Sequence, residues 1–223
     1  MTTGLPETPT QLRTRWAAFW KRLGAGGDAL ALFDLLARGY EDPSRAYHTL
    51  AHVDACLRDL DEVRTHLNTI EVTVAEAALW FHDAIYIPGH PLNEQYSAEF
   101  AEWALFEVGN VAQGEFPPRI REAILATKRH ADSPHFAARV VIDIDLGILG
   151  APPKRYRAYT KGIRQEYRFL DDRTFAVGRL AFLTNMRRKE ALYHTDHFQK
   201  KYGAQAQANM AAEIAALEVE LLN

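Results

Sequence analysis

The chain has 223 residues, of which 48% are hydrophobic and 25% are charged, and its formal net charge is −3. These values are typical of a globular protein with a sizeable core, and they argue against a disordered chain and a basic nucleic-acid-binding protein. No apolar run approaches the roughly 18–20 residues that cross a bilayer, and a single cysteine, Cys56, excludes an internal disulfide bond. We therefore expect a cytoplasmic protein that binds neither nucleic acid nor a membrane.

The first three predicted elements are helices. Residues 8–24 form a helix that begins at a threonine cap and ends at a glycine, and a second helix is predicted over 28–40. A third is predicted over 41–67, because Asp42 provides a cap, Pro43 occupies the first turn and apolar residues recur at helical spacing.

A fourth helix is predicted over the segment VAEAALWFHDAIY, which follows a capping-box pattern formed by Thr73 and Glu76. Prolines and a glycine at 88–91 then interrupt the chain. Two further helices are predicted over 93–109 and 117–130.

The segment 134–150 can be interpreted as a strand or as a helix. Apolar residues alternate there with Asp143 and Asp145, as they do in a strand. Helices are predicted on both sides, however, and the sequence offers no second strand to pair with it. We therefore predict a buried helix.

Three or four more helices are predicted from residue 152 to the C-terminus. The amphipathic segment NMAAEIAALEVELL near the end is compatible with a homodimer, although such a helix more often packs on its own domain. The sequence thus predicts an all-α fold and one helical domain over 1–223, with its motif-bearing core at 43–150 and C-terminal helices at 152–223.

Two histidines in the run YHTLAHV, His48 and His52, are four residues apart. On a helix this spacing places both imidazoles on one face, at the boundary of the core. Two such histidines can share a metal ion, or one can bind the ion while the other faces a substrate. The alternative is a pair of polar histidines on the surface.

His82 and Asp83 are neighbours in the apolar run ALWFHDAIY. A charge buried in such a run is costly unless it has a partner. An imidazole and a carboxylate are suitable ligands for a divalent ion. The alternative is a core histidine bonded to a backbone carbonyl, with Asp83 in solvent.

Asp143 and Asp145 also lie in an apolar run, VVIDIDLGILG, where carboxylates need cations or hydrogen-bond donors. On a helix the two side chains point to nearly opposite sides, so they need different partners. Asp145 would lie on a face between Val141 and Leu149, which suits a ligand held in the core. Asp143 would meet an arginine or cap another element.

In chain order, His52, His82, Asp83 and Asp145 form the pattern H…HD…D, which resembles the HD superfamily of metal-dependent phosphohydrolases. The YHxxxH run also resembles the YHNxxH motif of cyclic nucleotide phosphodiesterases, which belong to that superfamily. The resemblance implies that the four residues bind a divalent ion, for which Mn, Fe, Zn, Ni, Co and Mg are all open. It also implies that His48 protonates the leaving oxygen, while Asp83 orients the attacking water or bridges to a second ion.

The motif residues span 47–145, and the segments NEQYSA, ATKRH and YHTDHF look like a bacterial branch of predicted HD phosphohydrolases. We therefore expect an HD-type helical bundle that hydrolyses a phosphomonoester or phosphodiester of a small, nucleotide-like molecule. Two alternatives stay open: a non-catalytic, nucleotide-binding sensor or scaffold, and a di-iron HD-type oxygenase.

Four further residues are candidates for completing the site. Glu94 could bind a second metal or orient water, or simply favour the dipole of a helix start. Lys128 and Arg129 could hold a phosphate group, or lie in solvent. His130 could bind a second metal or contact phosphate, although the chain lacks the paired histidines of some two-metal branches.

A second histidine pair lies near the C-terminus, outside the HD pattern. His194 and His197 flank Asp196 and are three residues apart, which permits a shared metal ion. A polar helix end is the favoured interpretation of this cluster.

Overall fold

The computed structural model describes residues 7–111 and 116–222. This part of the chain is mainly helical and contains no strand, so the predicted all-α fold class is confirmed. Short 3-10 turns cover Arg64–His66 and Leu146–Gly150, and a π-helical turn covers Ala104–Val108. The α-helices are, in chain order, α1 (Pro9–Arg22), α2 (Ala29–Tyr40), α3 (Leu50–Val63), α4 (Thr69–Phe81), α5 (Asn93–Trp103), α6 (Phe116–Ala126), α7 (Phe136–Asp145), α8 (Pro153–Glu166), α9 (Asp172–Arg187) and α10 (Asp196–Leu222).

The chain forms two compact units, Met1–Ile142 and Asp143–Asn223. The first contains α1 to α6 and the second contains α8 to α10. That the chain is a single domain, as the sequence predicts, stays a prediction. Within the described ranges, no helix is both long and apolar enough to cross a bilayer, and the cytoplasmic location stays a prediction.

Local sequence signals set the first two helix starts as predicted. The Thr8 hydroxyl accepts the N–H of Gln11, and the Gln11 side chain accepts the N–H of Thr8 in return, which makes a capping box ahead of Pro9. The Asp28 carboxylate accepts two N–H groups from the first turn of α2. These helices begin where the polar side chains satisfy N–H groups that have no partner within the helix.

The predicted start of the third helix is wrong. Asp42 does not cap a helix, because its carboxylate accepts the N–H and the hydroxyl of Ser44 in a tight turn. The helix begins at Leu50, so His48 lies in the turn before α3 while His52 lies in its first turn. The prediction that these two histidines share one helix face is therefore corrected.

The predicted start of the fourth helix is also wrong, by about one turn. The capping box is formed by Asn68 and Glu71, not by the Thr73 and Glu76 pair that the sequence suggested. Glu76 is instead buried inside α4, where it accepts hydrogen bonds from two arginines of the first unit. Glu76, which the sequence suggested as part of a capping box, is thus part of a buried ion pair.

An aromatic cluster forms the core around α4. Trp16 stacks on Trp20 with ring centroids 5.3 Å apart, and it meets Trp80 edge-on at 5.4 Å and Phe81 at 5.6 Å. All side chains in the latter part of α4 are buried, and the helix packs against α3, α5 and α6. Close packing on every side fixes the end of α4, directly after which the HD pair follows.

The second unit contains three helices beyond residue 152, where the sequence predicts three or four. There, α10 packs against α9 and against the turn Leu146–Gly150. Arg179 on α9 binds both carboxylate oxygens of Glu213 on α10, at 2.7 and 3.2 Å, and donates to the hydroxyl of Tyr159 at 2.9 Å. This buried arginine is therefore held in a bidentate ion pair that joins two helices.

Candidate metal centre

Three side chains from two helix ends bring their donor atoms together in the first unit. The Nε2 atom of His52 lies 3.1 Å from the Nε2 atom of His82, although the residues are 30 positions apart. The Oδ2 atom of Asp83 lies 3.0 Å from the Nε2 of His82 and 3.6 Å from the Nε2 of His52. The structure thus brings together three of the four ligands that the sequence resemblance implies.

Hydrogen bonds to α5 hold the segment that carries the HD pair. His82 ends the α4 hydrogen-bond ladder, since its N–H donates to the carbonyl four residues earlier at 2.8 Å. The Ser97 hydroxyl donates to the carbonyl of Ile85 and accepts its N–H, both at 3.1 Å. The Asn93 side chain accepts the N–H of Ile87 at 3.0 Å and donates to its carbonyl at 2.8 Å. Asn93 and Ser97, one turn apart in NEQYSA, therefore position this segment, a role that sequence reasoning missed.

Hydrogen bonding on the far side of the His82 ring shows what its Nε2 atom offers. The Nδ1 atom lies 3.1 Å from the carbonyl of Leu79. A carbonyl only accepts, so Nδ1 carries the proton and, in the neutral ring, Nε2 presents a lone pair. The sequence-based alternative, a core histidine bonded to a backbone carbonyl, thus describes the Nδ1 side of the ring. The Nε2 side faces the Asp83 carboxylate.

Two electron-rich atoms 3.0 Å apart repel each other unless a positive charge lies between them. For His82 and Asp83, that charge is either a proton on one of the two groups or a metal ion. Two atoms that are each about 2.1 Å from one ion are at most about 4.2 Å apart. The separations among the donor atoms of His52, His82 and Asp83 are all below that limit, so the three residues fit a shared ion.

Cys56 is a donor that the sequence prediction missed. It lies one turn after His52 on α3, and the donor atoms of His52, Cys56 and His82 all lie within 4.8 Å of one another. This buried group could hold a metal ion. The i,i+4 spacing of His52 and Cys56 on one helix was the signal that could have revealed it.

The orientation of the Cys56 sulfur makes it a poorer ligand than Asp83. The sulfur lies 3.7 Å from both ring nitrogens of His52. An atom equally distant from the two nitrogens lies beside the imidazole and out of line with the Nε2 lone pair. The Asp83 carboxylate, which is close to both Nε2 atoms, is therefore the better-directed third ligand.

The donor group is enclosed on the histidine side and open on the side of Asp83 and His48. His52 and His82 are 6% and 1% exposed, whereas Asp83 and His48 are half-buried. The His48 ring stacks on Tyr86 with centroids 4.1 Å apart, and its centroid lies 6.0 Å from that of His52. A small molecule that approached from solvent would therefore meet Asp83 and His48 first.

The structure places the other predicted site residues of the first unit near α5 and α6. Lys128 donates to the carbonyl of Pro91, and its Nζ atom lies 4.0 Å from an oxygen of Glu94. Arg129 is exposed, and His130 follows the end of α6 with a left-handed backbone, at a φ of 48°. Their contacts with substrate or with a second ion stay predictions.

The two aspartates of the DID run differ in burial. Asp145 is half-buried at the end of α7, and its part in the ligand set stays a prediction. Asp143 is fully buried and accepts the N–H of His194 at 2.6 Å, the N–H of Thr195 at 2.8 Å and the Thr195 hydroxyl at 2.7 Å. Burial raises the pKa of Asp143 above its usual range, against the effect of these hydrogen bonds. Asp143 therefore holds the two residues directly before α10 in place.

Comparison of the chain with family models, with curated proteins and with solved structures found no match. The description of the site therefore rests on its geometry alone. Two buried imidazoles and one carboxylate approach within 3.0 to 3.6 Å. A stacked, half-buried histidine lies beside them.

Proposed function

We propose that this chain is a metal-dependent phosphohydrolase of the HD superfamily, which hydrolyses a phosphomonoester or phosphodiester of a small, nucleotide-like molecule. The observation that supports the proposal most strongly is the approach of His52, His82 and Asp83 within 3.0 to 3.6 Å. These residues match the first part of the H…HD…D pattern, and Asp145 is the proposed fourth ligand.

The proposed ligand set favours some ions over others. Two imidazoles with one or two carboxylates suit Mn, Fe, Co, Ni and Zn better than Mg, which prefers oxygen ligands. A divalent ion bound there would lower the pKa of a bound water and would neutralise charge on the phosphoryl oxygens. The protein then has to orient the water and protonate the leaving group.

The partly exposed residues supply those two functions. The Asp83 carboxylate faces both imidazoles and reaches solvent, so it can orient the attacking water and accept its proton. The imidazole of His48 can donate a proton to the leaving oxygen. Its stacking on Tyr86 limits the orientations of the ring. Lys128 and Arg129 are proposed to hold the remaining phosphate charge.

Metal analysis of purified protein, combined with phosphate release from p-nitrophenyl phosphate and from nucleotides, tests the proposal. His52→Ala and Asp83→Asn should lose both the ion and the turnover. His48→Ala should keep the ion and lower kcat by about 10²–10⁴-fold. His66→Ala, which removes an exposed histidine of the turn Arg64–His66, is the matched control and should change neither.

Four results would contradict the proposal. Wild-type protein that binds no divalent ion, or a metal-free His52→Ala variant with full turnover, would exclude the metal centre. A full complement of ion and tight nucleotide binding without product would favour the sensor or scaffold. Bound iron with oxygen-dependent turnover would favour the oxygenase.

A further inference from the structure

A single buried guanidinium connects the two turns that carry the proposed site. Arg45, which is 8% exposed, lies in the loop before α3. Its Nη1 group donates to the carbonyl of Asp83 at 2.7 Å and to the carbonyl of His48 at 3.2 Å. Its Nη2 group donates to the carbonyl of Ala84 at 3.0 Å. One side chain thus binds the backbone of two turns: the one that contains Asp83 and Ala84, and the one that contains His48.

Two aromatic rings hold this guanidinium in place. The Cζ atom of Arg45 lies 5.0 Å from the ring centroid of Tyr40 and 5.5 Å from that of Tyr86, both within the range of cation–π contacts. Tyr40 donates its hydroxyl to the carbonyl of Trp80 on α4 at 2.9 Å, and Tyr86 stacks on His48. The rings that orient Arg45 are therefore themselves attached to α4 and to His48.

The carbonyls of Asp83 and Ala84 need this donor because of their place in the chain. They come just after α4, where the helix has no further N–H groups to offer. A planar guanidinium has five N–H donors in fixed directions and can serve carbonyls from two segments at once. The ammonium group of a lysine is a compact charge and cannot span the same three acceptors.

The backbone contacts of Arg45 bear directly on the donor atoms. The carbonyl that Nη1 binds most closely belongs to Asp83, whose Oδ2 lies 3.0 and 3.6 Å from the two imidazole nitrogens. Movement of that peptide would shift the carboxylate relative to His52 and His82. We propose that Arg45 is a positioning residue, which fixes the Asp83 and His48 turns in one arrangement and thereby sets the affinity of the site for its ion. This inference rests on the proposed metal centre.

Binding of Co²⁺ to the full-length protein tests the inference, because the visible spectrum of Co²⁺ reports the geometry of its ligands. Arg45→Ala should bind Co²⁺ about 10–100-fold more weakly than the wild type, the usual effect of losing a residue that orients a ligand. Its spectrum at saturation should also change. Arg15→Ala is the matched control, since Arg15 likewise binds a backbone carbonyl, that of Leu57 at 3.0 Å, and a carboxylate, that of Asp61 at 2.8 Å. It should leave affinity and spectrum unchanged.

Chemical rescue separates positioning from a general loss of stability. Guanidinium chloride at low millimolar concentration should restore part of the Co²⁺ affinity of Arg45→Ala, whereas ammonium chloride should not. Equal effects of the two salts would overturn the inference. If Arg45→Ala does not fold, Arg45→Lys provides the same comparison: weaker binding supports the inference and wild-type binding overturns it.

The outcomes also separate this inference from the proposed function. If the wild type binds Co²⁺ and Arg45→Ala binds it with the same affinity and spectrum, only the role of Arg45 is overturned. If the wild type binds neither Co²⁺ nor Zn²⁺, the proposed metal centre is overturned, and the role of Arg45 with it.

Discussion

Replacing Asp143 by alanine removes an acceptor that serves three donors at the start of α10. The carboxylate is fully buried, and its oxygens accept the N–H of His194, the N–H of Thr195 and the hydroxyl of Thr195 at 2.6 to 2.8 Å. An alanine side chain offers these groups nothing. In the folded variant, the three donors would either lack an acceptor in an apolar environment or need a water molecule to enter and accept their hydrogen bonds.

The size of the effect follows from the number of donors. A buried donor that loses its acceptor costs about 1–3 kcal/mol. The substitution also removes the cost of burying a carboxylate, a cost that appears as the raised pKa of Asp143. Three such donors would together cost about 3–9 kcal/mol, and the relief of carboxylate burial offsets part of that cost, so we expect the free energy of unfolding to fall by about 3–5 kcal/mol. Such a loss is a large share of the roughly 5–15 kcal/mol that stabilises a typical domain.

Urea unfolding followed by circular dichroism measures this loss. Asp196→Ala is the matched control, because Asp196 is exposed at the first position of α10 and should contribute no more than about 1 kcal/mol through the helix dipole. Asp143→Asn should fall between them, since it keeps one acceptor oxygen. A loss below about 1 kcal/mol for Asp143→Ala would refute this role of Asp143, because three buried donors left without an acceptor should cost more than that.

Two further predictions concern stability. Asp171→Ala should destabilise the protein at neutral pH, because hydrogen bonds from Thr174 hold the pKa of Asp171 below its usual value of 3.8. The contribution of Asp171 is complete above that value and is lost as the pH falls through the lowered pKa, so melting temperatures of variant and wild type should converge in acid; a constant difference would contradict this. Gly150→Ala should cost about 1–3 kcal/mol, because the added Cβ would lie 2.5 Å from the Cβ of Tyr202 and 2.6 Å from its carbonyl oxygen. Gly178→Ala, with nothing within 4 Å, should instead stabilise α9 by about 0.5–1 kcal/mol. Urea unfolding of the two glycine variants checks the pair, and the opposite order would contradict the packing.

The first two helix starts, which depend on neighbouring residues, could be predicted from the sequence. Thr8 with Gln11, and Asp28, cap their helices through side chains two or three residues from the groups they bind. The turn at Asp42 could not be predicted in the same way. Asp42 and Pro43 have the residue types of a helix start, yet the chain from there to Leu50 is held by Arg45, which binds carbonyls up to 39 positions away. No local pattern reports such a contact.

The candidate site shows the same division. The sequence pattern predicted that His52, His82 and Asp83 would meet, because both the pattern and the family resemblance depend on which residue types are present. The position of His48 before α3 and the approach of Cys56 to His52 depend on where the helix begins and how it packs. The role of Arg45 depends on backbone carbonyls, which carry no residue identity at all. Such features become visible only with the fold in place.

An ion held by His52, His82 and Asp83, as proposed, would couple folding to the supply of metal. An ion that binds the folded chain and not the unfolded one adds about 2.7 kcal/mol of stability when its free concentration is 100 times its Kd. A chelator would remove that increment, and different ions would add different amounts. The melting temperature of a purified sample would then record which ion it acquired during growth.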